Sequence, residues 1–473
     1  MKILMVASEA APFAKTGGLA DVVGSLPAAL KALGHDVAVL LPRYATVDLK
    51  GARRVYDHLP IWIPPVHYDA AVYMAERETP FYFVDYPPLF DRPGLYGENG
   101  LDYPDNHIRF AVLAHAALAV SRYMFRPDIL HGHDWQAGLA PVYLRTLFAH
   151  DPTFMGIRTL FTIHNVGYHG LFPLAAMAEV GLSDSGVLRP EGMEFFGNAC
   201  YIKGGLNFSD ALNTVSPTYA REIQTPEYGF GLDGVLRSRS RVLTGILNGA
   251  DYSEWNPETD RHIAAHYSSD DLSGKQICKQ DLVNEFGLPP EAMDAPLIGI
   301  VSRFTSQKGA DLIAEVADGI VYAGYFMVAL GAGEPQYELL FRAMAARHPS
   351  RIAVRIGYDN ALAHKIEAGA DMFVMPSHYE PCGLNQMYSM KYGTPPVVRA
   401  TGGLEDTVGG ETGFKFWQYD GQALLGALQA ARAAFADKER WREFMRNGMA
   451  QDFSWDASAA QYSSLYQRLA ARG

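Results

Sequence analysis

Asp371-Met-Phe-Val-Met-Pro376 runs directly into Ser377-His-Tyr-Glu-Pro-Cys-Gly-Leu-Asn-Gln386. A short apolar run that empties into a polar turn bearing Pro and Gly is a buried strand leaving its sheet. A helix is predicted over 386–392, which places Gly383, Leu384 and Asn385 where its free N–H groups point. Such an N-terminus attracts an anion, because several backbone donors are unpaired and the dipole adds roughly half a positive charge. One carboxylate, Glu380, stands just ahead of these donors. The turn Ala400-Thr-Gly-Gly-Leu-Glu-Asp-Thr407 repeats the strand, glycine and helix arrangement, and two such turns in one half-chain point to a ligand that carries phosphates.

The same alternation extends both ways. In the second half, strands are predicted at 296–301, 325–330, 352–356, 371–375 and 395–398, with helices between them as at 310–320 and 334–346. In the first half, strands fall at 2–7, 37–41, 81–85, 127–131, 158–164 and 211–215, with helices at 19–33 (expected to kink at Pro27) and 106–125. Polar residues gather at the C-terminal ends of these strands, where open parallel sheets place their ligands. Ile246-Leu-Asn-Gly-Ala-Asp251, Trp255-Asn-Pro257 and the pattern-poor segment 258–279 mark a boundary, and the Ala-rich tail 422–472 is helical. The expected architecture is α/β, two doubly wound domains facing a cleft.

Size and composition agree with two domains. A chain of 473 residues exceeds what one hydrophobic core usually serves. Apolar residues make up 48% and charged residues 19%, a globular balance, and the net charge of −12 argues against nucleic acid or an anionic membrane as the main partner. The three cysteines, Cys200, Cys278 and Cys382, lie far apart, which fits a reducing compartment and no disulfide framework. The N-terminus reads as a strand and not an export signal, and no apolar run approaches the length of a membrane span, so the expected location is cytoplasmic.

Several constellations carry chemistry. Lys15-Thr-Gly-Gly-Leu-Ala-Asp21 opens the first helix with a glycine pair and a cation. It lacks the Gly-Lys-Ser/Thr of a P-loop and the Gly-x-Gly-x-x-Gly of a dinucleotide site, but a cation beside free amides completes an anion site. Ser302-Arg-Phe-Thr-Ser-Gln-Lys-Gly309 puts Arg303 and Lys308 at a strand end, where a guanidinium fork and a point charge suit a diphosphate. His131-Gly-His133-Asp134 has three readings: metal ligands, substrate contacts, or packed histidines with a structural aspartate. Gly331-Ala-Gly333 begins a dinucleotide fingerprint and does not finish it; Tyr358 could stack on a base or simply pack; Cys382 has no neighbouring base to make it a nucleophile. No Asp-x-Asp occurs, so protein cations must neutralise a departing diphosphate.

Taken in order, these motifs resemble bacterial glycogen synthases and plant starch synthases. The matching stretches are Lys15-Thr-Gly-Gly-Leu-Ala-Asp-Val-Val-Gly24, His133-Asp-Trp135, Phe161-Thr-Ile-His-Asn165, Asn213-Thr-Val-Ser-Pro217, Leu247-Asn-Gly249, Ser302 to Gly309, Ile356-Gly-Tyr358, Glu380-Pro-Cys-Gly383 and Thr401-Gly-Gly-Leu404. The resemblance implies a GT-B fold of two Rossmann-like domains, 1–248 on the acceptor side and 249–455 on the nucleotide-sugar side, with 456–473 a helix crossing back. It implies transfer of glucose from ADP-glucose to the 4-OH end of glycogen or another α-1,4-glucan, with retention and with no metal or other cofactor. A related GT-B transferase using UDP-glucose or another acceptor is the alternative.

By the same resemblance, Glu380 sits near the glucose, with the amides of Cys382, Gly383, Leu384 and Asn385 around the sugar and phosphates. Arg303 and Lys308 clamp the diphosphate, and Lys15, Gly17, Gly18 and Asp21 approach the donor from the other domain. His164 and Asn248 hold glucose hydroxyls, Asp134 orients sugar or acceptor, and Tyr358 stacks on adenine. Front-face attack and a covalent intermediate both remain open. Asn385 stands where the family usually has Thr, so a hydroxyl contact to phosphate is expected to be lost. Tyr388 stands where some relatives carry a second Glu.

Overall fold

The computed structural model describes residues 1–98, 100–183 and 186–471. The chain divides into two compact units, one of residues 1–215, 220–249 and 455–473, the other of 216–219 and 250–454. Residues 472–473, the end of the expected terminal helix, lie outside the described residues.

In the first unit the strands are β1 (Lys2–Val6), β2 (Asp36–Pro42), β3 (Arg53–Ile63), β4 (Val66–Glu76), β5 (Pro80–Asp85), β6 (Ile129–His133), β7 (Arg158–Ile163), β8 (Ala211–Thr214) and β9 (Leu243–Gly245). Among the described residues they form a nine-stranded sheet in the order β9-β8-β7-β6-β1-β2-β5-β4-β3. From β9 to β5 every pairing is parallel, and the β3–β4 hairpin adds two antiparallel strands at one edge. The central strands are buried on both faces, the condition under which parallel strands read as short apolar runs. Helix α1 (Gly18–Ala32) follows β1 and keeps Pro27 within it.

Helix α2 (Asn106–Val120) continues as a π-helical turn through Phe125. By length and composition this 20-residue segment could cross a membrane, which corrects the sequence expectation. Yet 72% of its apolar window is buried, and α2 packs inside this unit's core.

The second unit holds β10 (Leu297–Val301), β11 (Phe326–Gly331), β12 (Ile352–Ile356), β13 (Met372–Met375), β14 (Pro396–Arg399) and β15 (Phe414–Phe416). Their order is β12-β11-β10-β13-β14-β15, all parallel. The sheet steps outward from β10 on one side and from β13 on the other, so the neighbouring ends of β10 and β13 form its switch point. Helices α3 (Ala310–Tyr322), α4 (Asn385–Lys391) and α5 (Gly402–Thr407) each follow a strand end.

The last helix, α6 (Trp455–Ala470), belongs to the first unit and packs on α1 through Trp455, Tyr462, Leu465, Tyr466 and Leu469. Tyr466 Oη bonds His131 Nδ1 at 2.8 Å, and Tyr462 Oη donates to Asn213 Oδ1 at 2.8 Å. Gly249, just before the chain leaves this unit, has no room for a side chain, because a Cβ there would sit 2.5 Å from the Trp455 ring.

Candidate active site

At the switch point of the second unit, β13 ends and the chain turns through Glu380 and Cys382 into α4. Glu380 is 4% exposed. Its Oε2 accepts from Lys308 Nζ at 2.6 Å and from Ser377 Oγ at 3.0 Å. Lys308 comes from the turn after β10, and Gly309 brings that turn close. With φ +74° and a would-be Cβ 2.2 Å from the Pro376 carbonyl oxygen, only glycine lets the two loops touch. The result is an ion pair between residues at adjacent strand ends.

A cavity of about 100 Å³ lies beside this pair, lined by Val301, Ser302, Lys308, Gly383, Leu384 and Asn385 among others. Asn385 Nδ2 donates to the Val301 carbonyl at 2.7 Å, so the residue expected to replace a phosphate-binding hydroxyl ties α4 to the end of β10. Arg303 is exposed, its guanidinium 3.3 Å from Gln307 Oε1. Tyr358 lies past β12, 84% exposed, and is not among the cavity's lining residues. Cys382 is buried.

The second glycine turn differs from its sequence expectation. A Cβ on Gly402 would lie 1.8 Å from the Glu380 carbonyl oxygen, and one on Gly403 2.1 Å from that of Cys382. The Gly403 N–H donates to the Glu380 carbonyl at 3.1 Å. Protein backbone packs against the Cβ side of both glycines, so the pair seats the 380–382 turn. Gly403→Ala should therefore displace that turn and cost about 1–3 kcal/mol, as overpacking does. Its denaturant midpoint and turnover are expected to fall together; wild-type values for both would contradict the seating role.

In the first unit, the loop before α1 is organised by a carboxylate that sequence reading missed. Glu9, 4% exposed, accepts from the N–H and hydroxyl of Thr16, the N–H of Gly17 and the hydroxyl of Tyr96. The Gly17 amide, expected to face the ligand, is thus engaged within the protein. A carboxylate seven residues before Thr16 was the available signal. Lys15 Nζ lies 2.6 Å from Asp21 Oδ1, while Gly18 begins the helix.

The ends of β6 and β7 bring His131, His133, Asp134 and His164 together. Asp134 has φ +54° and ψ −177°, a strained backbone for a residue with a side chain. Its Oδ1 accepts the His164 N–H at 2.7 Å, so it braces the loop that carries His164. Burial pushes its carboxyl up to about 7, against the backbone N–H bonds from His164 and Asn165, which favour the charged form. Burial pushes His131 and His164 down to about 3 and His133 well below its ordinary value, so all three are neutral at pH 7. Both nitrogens of His131 are engaged, by Tyr466 and by Thr162 Oγ1 at 2.7 Å, which leaves it no lone pair for an ion. Among the described residues no group of three His, Cys, Asp or Glu could hold a metal. Asn248 is buried with its Oδ1 unpartnered among the described residues, an acceptor available to a hydroxyl.

Known proteins resemble this chain in sequence and in fold. Residues 2–238 match the family model described as the starch synthase catalytic domain, and residues 286–447 match that of glycosyl transferases group 1. A glycogen synthase of Koribacter versatilis is 50% identical over 99% of this chain and 98% of its own, and one of Myxococcus xanthus is 48% identical over the full length of both. The solved catalytic domain of starch synthase IV from Arabidopsis thaliana, bound to ADP and acarbose, superimposes with a TM-score of 0.91 at 33% identity, covering 100% of this chain and 99% of that one.

Proposed function

Because the chain belongs to the family of glycogen synthases and starch synthases, glycosyltransferases of GT-B fold, we propose that it extends an α-1,4-glucan such as glycogen. It takes glucose from ADP-glucose and adds it to the 4-OH of a non-reducing end, with retention and without a metal. The observation that carries this reading is Glu380, buried and held by Lys308 and Ser377 beside a cavity that the start of α4 lines.

Breaking the bond between sugar and phosphate develops positive charge on the ring and negative charge on the departing diphosphate. Arg303 and Lys308 face the growing negative charge, and one such contact is typically worth about 3 kcal/mol. Glu380 lies close to the glucose, where its charge opposes the positive one. The amides of Cys382, Gly383, Leu384 and Asn385 take sugar hydroxyls and phosphate oxygens, and Tyr358 stacks on adenine. Lys15, with Asp21 beside it, and the Gly18 amide meet the donor; Gly17 does so only when Glu9 releases its N–H. His164 and Asn248 hold glucose hydroxyls, and Asp134 fixes His164. The reaction is assigned to the cytoplasm, a reading that the three free, buried cysteines support.

The test is to incubate the protein with glycogen and either ADP-glucose or UDP-glucose in the presence of EDTA, measuring nucleotide release and labelled glucan. ADP-glucose is expected to support turnover that EDTA leaves unchanged. No turnover with either donor sinks the synthase reading, loss under EDTA alone sinks metal independence, and a preference for UDP-glucose moves the chain to the related transferase reading.

A further inference from the structure

His133 has no role in the chemistry above, yet its ring lies between two others. It sits 4.1 Å from the His131 ring and 5.3 Å from the His164 ring, both tilted by 33°. Its Nδ1 is 3.0 Å from His164 Nε2, while its Nε2 is buried with no partner among the described residues.

The protons on this ladder can be assigned by following donors from the outside in. Asn213 Nδ2 donates to the carbonyls of Thr214 and Thr244, each at 3.0 Å, so Asn213 Oδ1 is an acceptor. It receives the hydroxyls of Tyr462 at 2.8 Å and Thr162 at 3.0 Å. Thr162 Oγ1, having donated, accepts from His131, which places the His131 proton on Nε2. His131 Nδ1 then accepts the Tyr466 hydroxyl. One tautomer satisfies every partner of His131.

Between His133 and His164 there is room for one proton, because both rings are neutral. If His164 Nε2 carried it, the proton of His133 would sit on Nε2, a buried N–H with nothing to bond. If His133 Nδ1 carries it, only a lone pair is left unmatched. Orphaned buried N–H groups are the rarer defect in folded proteins. Thus His133 donates, His164 Nε2 accepts, and the His164 proton is left on Nδ1.

We infer that His133 is a positioning residue that locks His164 in the Nδ1–H tautomer, so that His164 presents a hydrogen-bond donor to a bound sugar. The tautomer assignment stands on geometry within the first unit; only the identity of the ligand rests on the proposed function. A neutral histidine's two nitrogens differ in kind, and the bond made by one decides what the other offers.

The experiment labels the full-length protein with ¹⁵N-histidine and reads ring tautomers from two-bond ¹H–¹⁵N correlations at pH 7.5 without substrate, assigning His164 by its loss in His164→Gln. His164 is expected to show a protonated Nδ1 and an unprotonated Nε2. An Nε2–H tautomer or an imidazolium overturns the inference, whatever the enzyme proves to do with ADP-glucose. In the kinetic arm, His133→Phe keeps the ring but removes the donor, and kcat/KM for ADP-glucose is expected to fall about tenfold to a hundredfold. His133→Asn restores an N–H at the place of Nδ1 and is expected to recover most of that loss. Equal impairment in both variants indicates packing alone and overturns the donor role. If neither donor sugar is used, the function fails while the spectrum still decides the tautomer.

Discussion

Glu380→Gln is expected to lower kcat by about 10³-fold or more while leaving the KM for ADP-glucose nearly unchanged. The substitution preserves volume and shape, and the new amide oxygen can still accept from Lys308 and from Ser377, which lie 2.6 and 3.0 Å from Oε2 in the native protein. What disappears is one negative charge in a site sheltered from water, where electrostatic interactions are little screened. In the proposed reaction that charge matters most when the sugar ring becomes positive, so its loss is expected to fall on the transition state and not on ground-state binding. Glu380→Ala should be at least as inactive, but it also strips a partly buried lysine of its partner, and so it confounds chemistry with folding. Initial rates with labelled ADP-glucose, beside a denaturation curve, separate the two effects. A Gln variant retaining a tenth of the wild-type kcat would remove Glu380 from the reaction.

Glu380 and Lys308 were both singled out as candidates in the sequence, but their pairing was not legible there. Glu380 and Lys308 each stood at the end of a predicted strand, yet nothing local says that β10 and β13 are neighbours, and the two residues are 72 apart in the chain. Parallel strands announce themselves because burial on both faces demands short apolar runs, and 371–375 was read to within one residue of β13. The β3–β4 hairpin was missed because, at the sheet's edge, exposed and buried positions mix and no continuous apolar run forms. The helix Ser273–Phe286 was taken for part of a boundary segment for a different reason. It buries Lys275 and Lys279, whose ammonium groups reach the carbonyls of Ala368, Tyr392, Met293 and Ala295 and the carboxylate of Asp371. Charges on an inward face defeat a reading that equates charge with solvent. The glycine pair Gly402–Gly403 has a packing role that the sequence could not show, since close approach to backbone and close approach to phosphate call for the same residue.

Lys308→Gln should be nearly as damaging to turnover, by about 10²- to 10³-fold, and it is expected to destabilise the protein as well. Lys308 neutralises a carboxylate that is 5% exposed at its side chain; in the proposed reaction the same ammonium is also needed for the departing diphosphate. Removing it leaves Glu380 buried with the Ser377 hydroxyl and no counter-charge, and breaking one side of a buried pair costs about 3–5 kcal/mol. Lys308 is itself 20% exposed, which places the cost toward the lower end of that range. The two effects come apart in the double variant Lys308→Gln/Glu380→Gln. If the stability loss comes from the stranded carboxylate, neutralising Glu380 should return much of it, so the double variant unfolds at a higher denaturant concentration than Lys308→Gln alone. Activity should stay at the floor, because both charges that follow the transition state are then gone. A double variant no more stable than Lys308→Gln would mean that Lys308 supports the fold through its own packing, not through Glu380.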